Sequence, residues 1–419
     1  MLTFLNPFDL VVVGGGAAGF MSAITAAENG VKRIIILEGS SKLMEKVRIS
    51  GGGRCNVTNA SWIPNELAEN YPRGGIKLLE SFNRFAAGDV FDWFEKRGLK
   101  LKIEDDNRVF PISDSSLDVI SCLKKNAITK GVEISTKFFV KEIFKTPDNF
   151  FNLINSEKDS IIAKNIVLST GGHPSGHKLA KSIGHSIVKT VPSLFTFTTK
   201  ETKLNECSGV SIKNIDLEIQ LNNKSFKNRG DLLITHWGFS GPAVLKLSSI
   251  AARELFEQKY KCKLIIKWSD LEYEDLKEKI NNLKLNNGKL KLINLRPLPL
   301  LTKRLWVFLL NKMNINKDKK WADLLANERE IMINSLLKDK YIISSKGPFG
   351  EEFVTSGGVS INEVDFKSME SLICPGLFFS GEILDVDGIT GGFNFQHCWT
   401  SGWLAGKAVS KLFNKVTNQ

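Results

Sequence analysis

The chain opens on an apolar run, Leu10 to Val13, that ends in three glycines. Residues 17–29 then carry helical patterning, and residues 33–38 form a second apolar run closed by an acid. Short apolar runs bounded by glycine read as buried strands, so the predicted opening is strand, helix, strand. Helical patterns recur over 76–97 and 116–130, followed by β-rich runs over 132–143 and 161–169, which makes this first region α/β. After Pro192 the pattern changes to alternation, as from Ile215 to Leu221, with a predicted turn at Asn222-Asn223. Such alternation implies an antiparallel sheet or barrel. Residues 271–283, 302–313 and 321–337 are predicted helices. Strands and glycines return from Phe353, and 396–412 reads as a closing helix. The chain shows neither an internal repeat nor a low-complexity linker. The expected organisation is one domain in two parts, 1–191 and 353–419, split by a β-barrel domain over 192–258 and 340–352. A mainly helical subdomain is expected over 259–339.

Composition narrows the class. At 42% apolar and 24% charged residues, a disordered chain, a coiled coil and a collagen-like chain are excluded. The six cysteines (Cys55, Cys122, Cys207, Cys262, Cys374, Cys398) stand singly, with no CxxC pair. This fits neither a zinc site nor a disulfide framework, and it points to a reducing, cytoplasmic setting with no metal. No stretch reaches the ~18 apolar residues of a membrane span. The apolar N-terminus lacks a preceding Lys or Arg and is interrupted by Asp9, so it reads as the first strand and not as a signal peptide. Net charge is +12, and Gln258–Lys346 alone holds 17 Lys and 3 Arg against 10 Asp and Glu. So local an excess suggests a polyanionic partner, the alternative being a lysine-coated solvated surface. Trp268, Trp306 and Trp321 accompany it and could either stack on bases or fill a core.

Chemistry enters with the glycines. Gly14-x-Gly16-x-x-Gly19 lies where strand meets helix, so backbone N–H groups and the helix N-terminus can take a pyrophosphate. Glu38, at the end of the second strand, can accept from both ribose hydroxyls. That fingerprint alone does not choose between NAD and FAD. Three further glycine clusters do: Ser50–Asn59 with Arg54 as countercharge, Ile166–Gly172, and Gly376–Gly392. Together they exceed what one mononucleotide needs and are the pattern of an FAD site.

Those motifs, with "LITHWGFSGPAVLKLS" and the long run from Glu351 to Val409, resemble the BaiN-like flavoproteins. These include the aminoacetone oxidases and carry a glutathione-reductase-type FAD fold. The resemblance spans nearly the whole chain and is weakest over the basic helical segment. It implies a Rossmann-like, discontinuous FAD domain with an inserted barrel. It places Gly14, Gly16, Ala18 and Gly19 on the pyrophosphate and Glu38 on the ribose. Lys46, Gly53, Arg54, Cys55 and Asn56 fall along the flavin side, and Val140 where backbone meets adenine. Thr170 and Gly171 fall beside the cofactor, with Gly381, Glu382, Asp387, Gly391, Gly392, Asn394 and Phe395 in the last motif. The Gly391-Gly392 pair would aim N–H groups at the flavin N1–C2=O edge. Phe379, Phe393 and His173-Pro174 depart from the residues the resemblance leads one to expect.

Cys55, His236 and His397 are the candidate proton donors, each with an alternative as a core, interdomain or capping residue. There is neither a second GxGxxG nor a redox CxxC, so NAD(P)H would visit the flavin transiently. The resemblance covers amine oxidation, reduction of steroid-like enones and reduction of uridine in ribosomal RNA. The basic segment favours ribosomal RNA as partner, with hydride delivered to C6 of uracil and a proton to C5. A small-molecule oxidase or ene-reductase is the alternative, and a third reading is an RNA-binding flavoprotein that uses FAD structurally. A monomer or weak homo-oligomer is expected.

Overall fold

In the computed structural model, which describes residues 6–221, 224–347 and 354–417, the opening run becomes β1 (Phe8–Val13), followed by α1 (Ala17–Glu28) and β2 (Ile34–Leu37). Later segments add β3 (Glu133–Ser135), β4 (Ser160–Leu168), β5 (Leu377–Phe379) and the long closing helix α2 (Phe393–Thr417). The five strands pair in parallel in the order β5-β4-β1-β2-β3. β1 has a neighbour on each side and all six of its residues are buried, which is why it is apolar at every position but Asp9. Asp9 is held at the strand's start by Lys164 Nζ (2.8 Å) and Arg33 N–H (3.1 Å). The first half of β4 pairs antiparallel with a hairpin, Val140–Lys145 and Phe151–Asn155, and its second half enters the parallel sheet.

The described residues fall into two units, dividing after Thr190 and before Val354. The first holds this sheet and both segments of the split domain. Within it, the predicted helix over 76–97 is two helices, Gly75–Phe82 and Ala87–Glu95. The Asp89 carboxylate accepts the Ala86 N–H (2.8 Å) and so starts a second helix where periodicity alone suggested continuation.

The second unit contains a closed antiparallel barrel of Phe197–Thr199, Gly238–Ser240, Lys224–Ile234, Ser211–Leu221, Cys262–Lys267 and Asp339–Lys346, in that order around the wall. Ile215, Leu217, Ile219 and Leu221 face inward, as their alternation requires. The predicted Asn222-Asn223 turn lies outside the described residues. Cys262–Lys267 is a strand within the stretch expected to be mainly helical: Cys262, Leu264 and Ile266 are buried while Lys263 is exposed, a two-residue period inside a lysine-rich stretch. The helices there are Tyr273–Asn286, Lys303–Lys312 and Ala326–Leu337. Base stacking by the three tryptophans is ruled out by their burial. Trp268, Trp306 and Trp321 are fully enclosed, and each indole N–H is taken, by Asp339 Oδ2 (2.8 Å), Leu292 O (2.8 Å) and Leu295 O (3.3 Å). Among the described residues no helix is long and apolar enough to cross a membrane, and no His/Cys/Asp/Glu group could hold a metal ion.

Candidate functional site

The three fingerprint glycines do three different things. Gly14 sits at φ +112°, and a Cβ there would meet Ser169 O at 2.4 Å, so only glycine makes this turn. A Cβ at Gly19 would lie 2.1 Å from Gly14 O, so glycine lets α1 press onto the end of β1. Gly16, by contrast, has nothing within 4 Å of its missing Cβ: the space beside it is open, at the N-terminus of α1, where N–H groups lack helical partners. Ala18, in the first turn of α1, is buried and lends its carbonyl to Ser22 Oγ (2.8 Å). Glu38 closes this turn, with Oε2 accepting the Gly15 N–H (2.9 Å) and Oε1 the Ser40 N–H (2.8 Å). Each oxygen keeps a lone pair for a ribose hydroxyl.

Motifs distant in sequence meet at the start of α2. The Asn56 amide, oriented by its neighbours, accepts the Gly392 N–H (3.0 Å) and donates to Thr58 O (2.9 Å). Asn59 Nδ2 donates to Gly391 O (3.0 Å), and Thr58 Oγ1 to Gln396 Oε1 (2.5 Å). Trp399 Nε1 reaches back to Val57 O (2.8 Å), and Tyr71 O–H to Phe393 O (2.6 Å). The segment Asn56–Asn59 is therefore a clamp on Gly391-Gly392. With the amide so oriented, Asn56 takes the Gly392 N–H, one of the pair expected to face a flavin edge. The first-turn N–H groups of α2 remain as the positive end of a 25-residue helix. Asn394 also turns inward: its amide bridges Gly388 O (2.9 Å) and the Gly388 N–H (2.9 Å), bracing the loop before the helix. Phe395 stacks on Trp399 with ring centroids 5.8 Å apart.

A second link joins Lys46 to Glu382 (2.6 Å), whose other oxygen accepts the Thr355 N–H (2.8 Å). Gly171, at φ +63°, lies opposite Glu382, and Gly53 opens to free space. Gly381 donates its N–H to Ser401 Oγ (2.8 Å). Val140 is buried at the start of its hairpin strand, opposite Asn155. Asp387, fully buried, is held in a two-pronged ion pair by Arg73. Arg54 departs from its expected role as countercharge: its guanidinium pairs with Glu104 (2.6 Å) and Asp114 (3.2 Å) and lies 3.9 Å over the Phe110 ring. Arg73, Asn59, Tyr71 and Gln396 were not among the sequence-based candidates. Arg73 and Tyr71 belong to no glycine motif and had no signal, whereas Asn59 closes the Ser50–Asn59 cluster and could have been chosen.

Burial counts against two of the three candidate proton donors as acids near neutral pH. Cys55 is enclosed, and burial pushes its thiol up to about 12, which leaves it a neutral core group held at φ +61°. His397 Nε2 donates to Gly381 O (3.1 Å), and burial lowers its pKa to about 4. His236 belongs to the second unit, exposed, its ring 4.1 Å from that of Trp237.

Because the folded His397 binds its proton less well than an unfolded histidine, the unfolded chain takes up more protons between pH ~6.5 and ~4. Stability is full above that window and falls as pH drops through it, by up to about 3 kcal/mol from this group. The expected result is that His397→Asn flattens the acid limb of a urea-midpoint profile between pH 6.5 and 4. An unchanged limb would assign the loss to other groups.

The residues present fit a dinucleotide. Gly16 and Gly53 border open space, two carboxylates, Glu38 and Glu382, are positioned by backbone N–H groups, and Thr170 Oγ1 and His397 Nδ1 are buried without a partner. Glu38 would hold the adenosine ribose, the N-terminus of α1 the pyrophosphate, and Thr170, Glu382 and the start of α2 the flavin half.

Comparison with known proteins agrees with that geometry. The chain is 27% identical to the 3-dehydro-bile acid delta(4,6)-reductase of Clostridium scindens, over 96% of this chain and 98% of that protein. It is 28% identical to the ribosomal RNA dihydrouridine synthase of Escherichia coli, over 95% of this chain and 97% of that protein. A 3-ketosteroid delta1-dehydrogenase from Sterolibacterium denitrificans shares the fold at a TM-score of 0.52 and 11% identity, covering 97% of this chain and 100% of that one. With residues 8–408 matched by the family described as HI0933-like protein Rossmann domain, this chain belongs to the HI0933-like family of FAD-binding oxidoreductases.

Proposed function

We propose that the protein is an NAD(P)H-dependent reductase of a carbon–carbon double bond, and that its substrate is uridine in ribosomal RNA, reduced to dihydrouridine. The observation that carries this reading is the joint presence of end-to-end similarity to a ribosomal RNA dihydrouridine synthase and a lysine-rich stretch, Gln258–Lys346, in which Lys259, Lys261, Lys263, Lys289, Lys317 and Lys320 among others are exposed. When bound, the flavin supplies the hydride. The chain's own part is positional. Asn56, Thr58 and Asn59 fix the loop Gly391-Gly392 and the first turn of α2, and the positive end of that helix favours the negative charge that a reduced cofactor carries. The Arg73–Asp387 ion pair anchors the start of the same loop. NADH or NADPH reaches the flavin transiently, because one fingerprint serves one resident dinucleotide.

The test is anaerobic. The yellow protein is reduced with NADH or NADPH, ribosomal RNA from a strain lacking the gene is added, and dihydrouridine is quantified by mass spectrometry. The expected outcome is dihydrouridine at a discrete site as the flavin reoxidises. A flavin that stays reduced with RNA but reoxidises with small enones would overturn it in favour of an enone reductase. That second reading is supported by the 27% identity to the bile acid reductase over nearly the whole chain.

A further inference from the structure

Backbone pairing in the second unit gathers lysines that the sequence keeps apart. Residues 288–293 run antiparallel to residues 317–322: Leu292 N–H donates to Lys319 O (2.8 Å), Ile293 N–H to Lys317 O (3.0 Å), Trp321 N–H to Leu290 O (2.9 Å) and Ala322 N–H to Gly288 O (3.0 Å). A β-bridge sets Lys291 opposite Lys320. The clasp is anchored from beneath by Leu292 and Trp321, both fully buried, so it is a fixed feature and not a loose loop. Its cations outnumber its acids. Lys291 holds Asp318 (3.0 Å) with Lys317 close to the same carboxylate, and Lys319 is neutralised by Glu328 (2.6 Å). Lys289 and Lys320 are exposed and have no ion-pair partner among the described residues, as does Arg296, which adjoins the clasp through Leu295.

Holding like charges together costs stability unless an anion comes between them. We infer that this clasp is a docking surface for the phosphate backbone of RNA, with Lys289, Lys317 and Lys320 making the contacts. The inference rests on the RNA reading above and gives it an address: five of the 17 lysines of the basic stretch fall on one braced element.

The experiment compares wild type, Lys289→Ala/Lys317→Ala/Lys320→Ala, and a charge-matched control, Lys124→Ala/Lys130→Ala/Lys141→Ala, whose lysines are exposed in the first unit. Binding of ribosomal RNA to the flavin-loaded proteins is titrated between 50 and 200 mM KCl, with anionic phospholipid vesicles as a parallel ligand. Each phosphate contact contributes roughly 0.7–0.9 to the slope of log K against log salt, so the clasp variant should lose about two from that slope. The control should lose none, and flavin content and reduction by NAD(P)H should be unchanged in all three. A clasp variant with the wild-type slope, while wild type still binds RNA steeply, would overturn the clasp and leave the RNA reading standing. Salt-insensitive or absent RNA binding by wild type would remove both. Vesicle binding as tight as RNA binding and lost in the clasp variant would reassign the surface to a membrane.

Discussion

Gly16→Val is expected to yield a folded protein without its yellow cofactor. The backbone at Gly16, φ −94° and ψ −171°, is open to any residue, and no protein atom lies within 4 Å of the added Cβ, so the fold has no reason to change. What the valine fills is the approach to the α1 N-terminus, where a pyrophosphate must come close to backbone N–H groups. FAD affinity should fall at least 100-fold, about 2.7 kcal/mol, while urea unfolding of the apoprotein stays within about 0.5 kcal/mol of wild type. Gly19→Val makes the contrast. Its Cβ would stand 2.1 Å from Gly14 O and 2.7 Å from Ser169 Oγ, so α1 must lift from the sheet, at a cost of about 3 kcal/mol. Cofactor loss in both, with stability loss only in Gly19→Val, is the expected pattern. Wild-type FAD content in Gly16→Val would show that the pyrophosphate does not lie there.

The second large effect concerns the buried ion pair. Arg73→Met takes the two-pronged guanidinium from Asp387, a carboxylate with no exposed surface, and so should destabilise the first unit by about 3–5 kcal/mol. Because Asp387 begins the loop that ends at Gly391-Gly392, the same change should weaken flavin retention. Arg73→Met/Asp387→Leu removes the stranded charge as well as its partner and is expected to regain most of the stability. Denaturant midpoints and m values for the three proteins decide the matter. A single variant as stable as wild type would mean the carboxylate is satisfied by its other neighbours.

Both predictions depend on features that differ in how far the sequence discloses them. Gly14, Gly16, Gly19 and Glu38 are legible because a strand, a turn and a helix in succession impose a local spacing, and each residue's role follows from the turn itself. An antiparallel sheet or barrel was likewise legible from the alternation over Ile215–Leu221, and closure into a barrel was not. The strand Cys262–Lys267 was passed over because its two-residue period is only six residues long and lies among lysines that suggested exposed helix. Arg54 shows the opposite failure. Its neighbourhood in the Ser50–Asn59 glycine cluster suggested an anion, but Glu104 and Asp114, about 50 and 60 residues on, claim its charge.

What the sequence determined by itself is what local pattern and composition govern: the opening strand, helix and strand with their glycine fingerprint, the alternating strands of the second unit, the closing helix, and the presence of a basic excess. Tertiary structure alone decided which distant groups meet. It set Asn56–Asn59 against Gly391-Gly392, Arg73 on Asp387, and Lys291 across from Lys320, and it buried Trp268, Trp306 and Trp321 where sequence left them free to stack. The physical reason is that hydrogen bonds, bridges and ion pairs between segments tens to hundreds of residues apart leave no period in the chain. They exist only once burial of the apolar faces has brought those segments together.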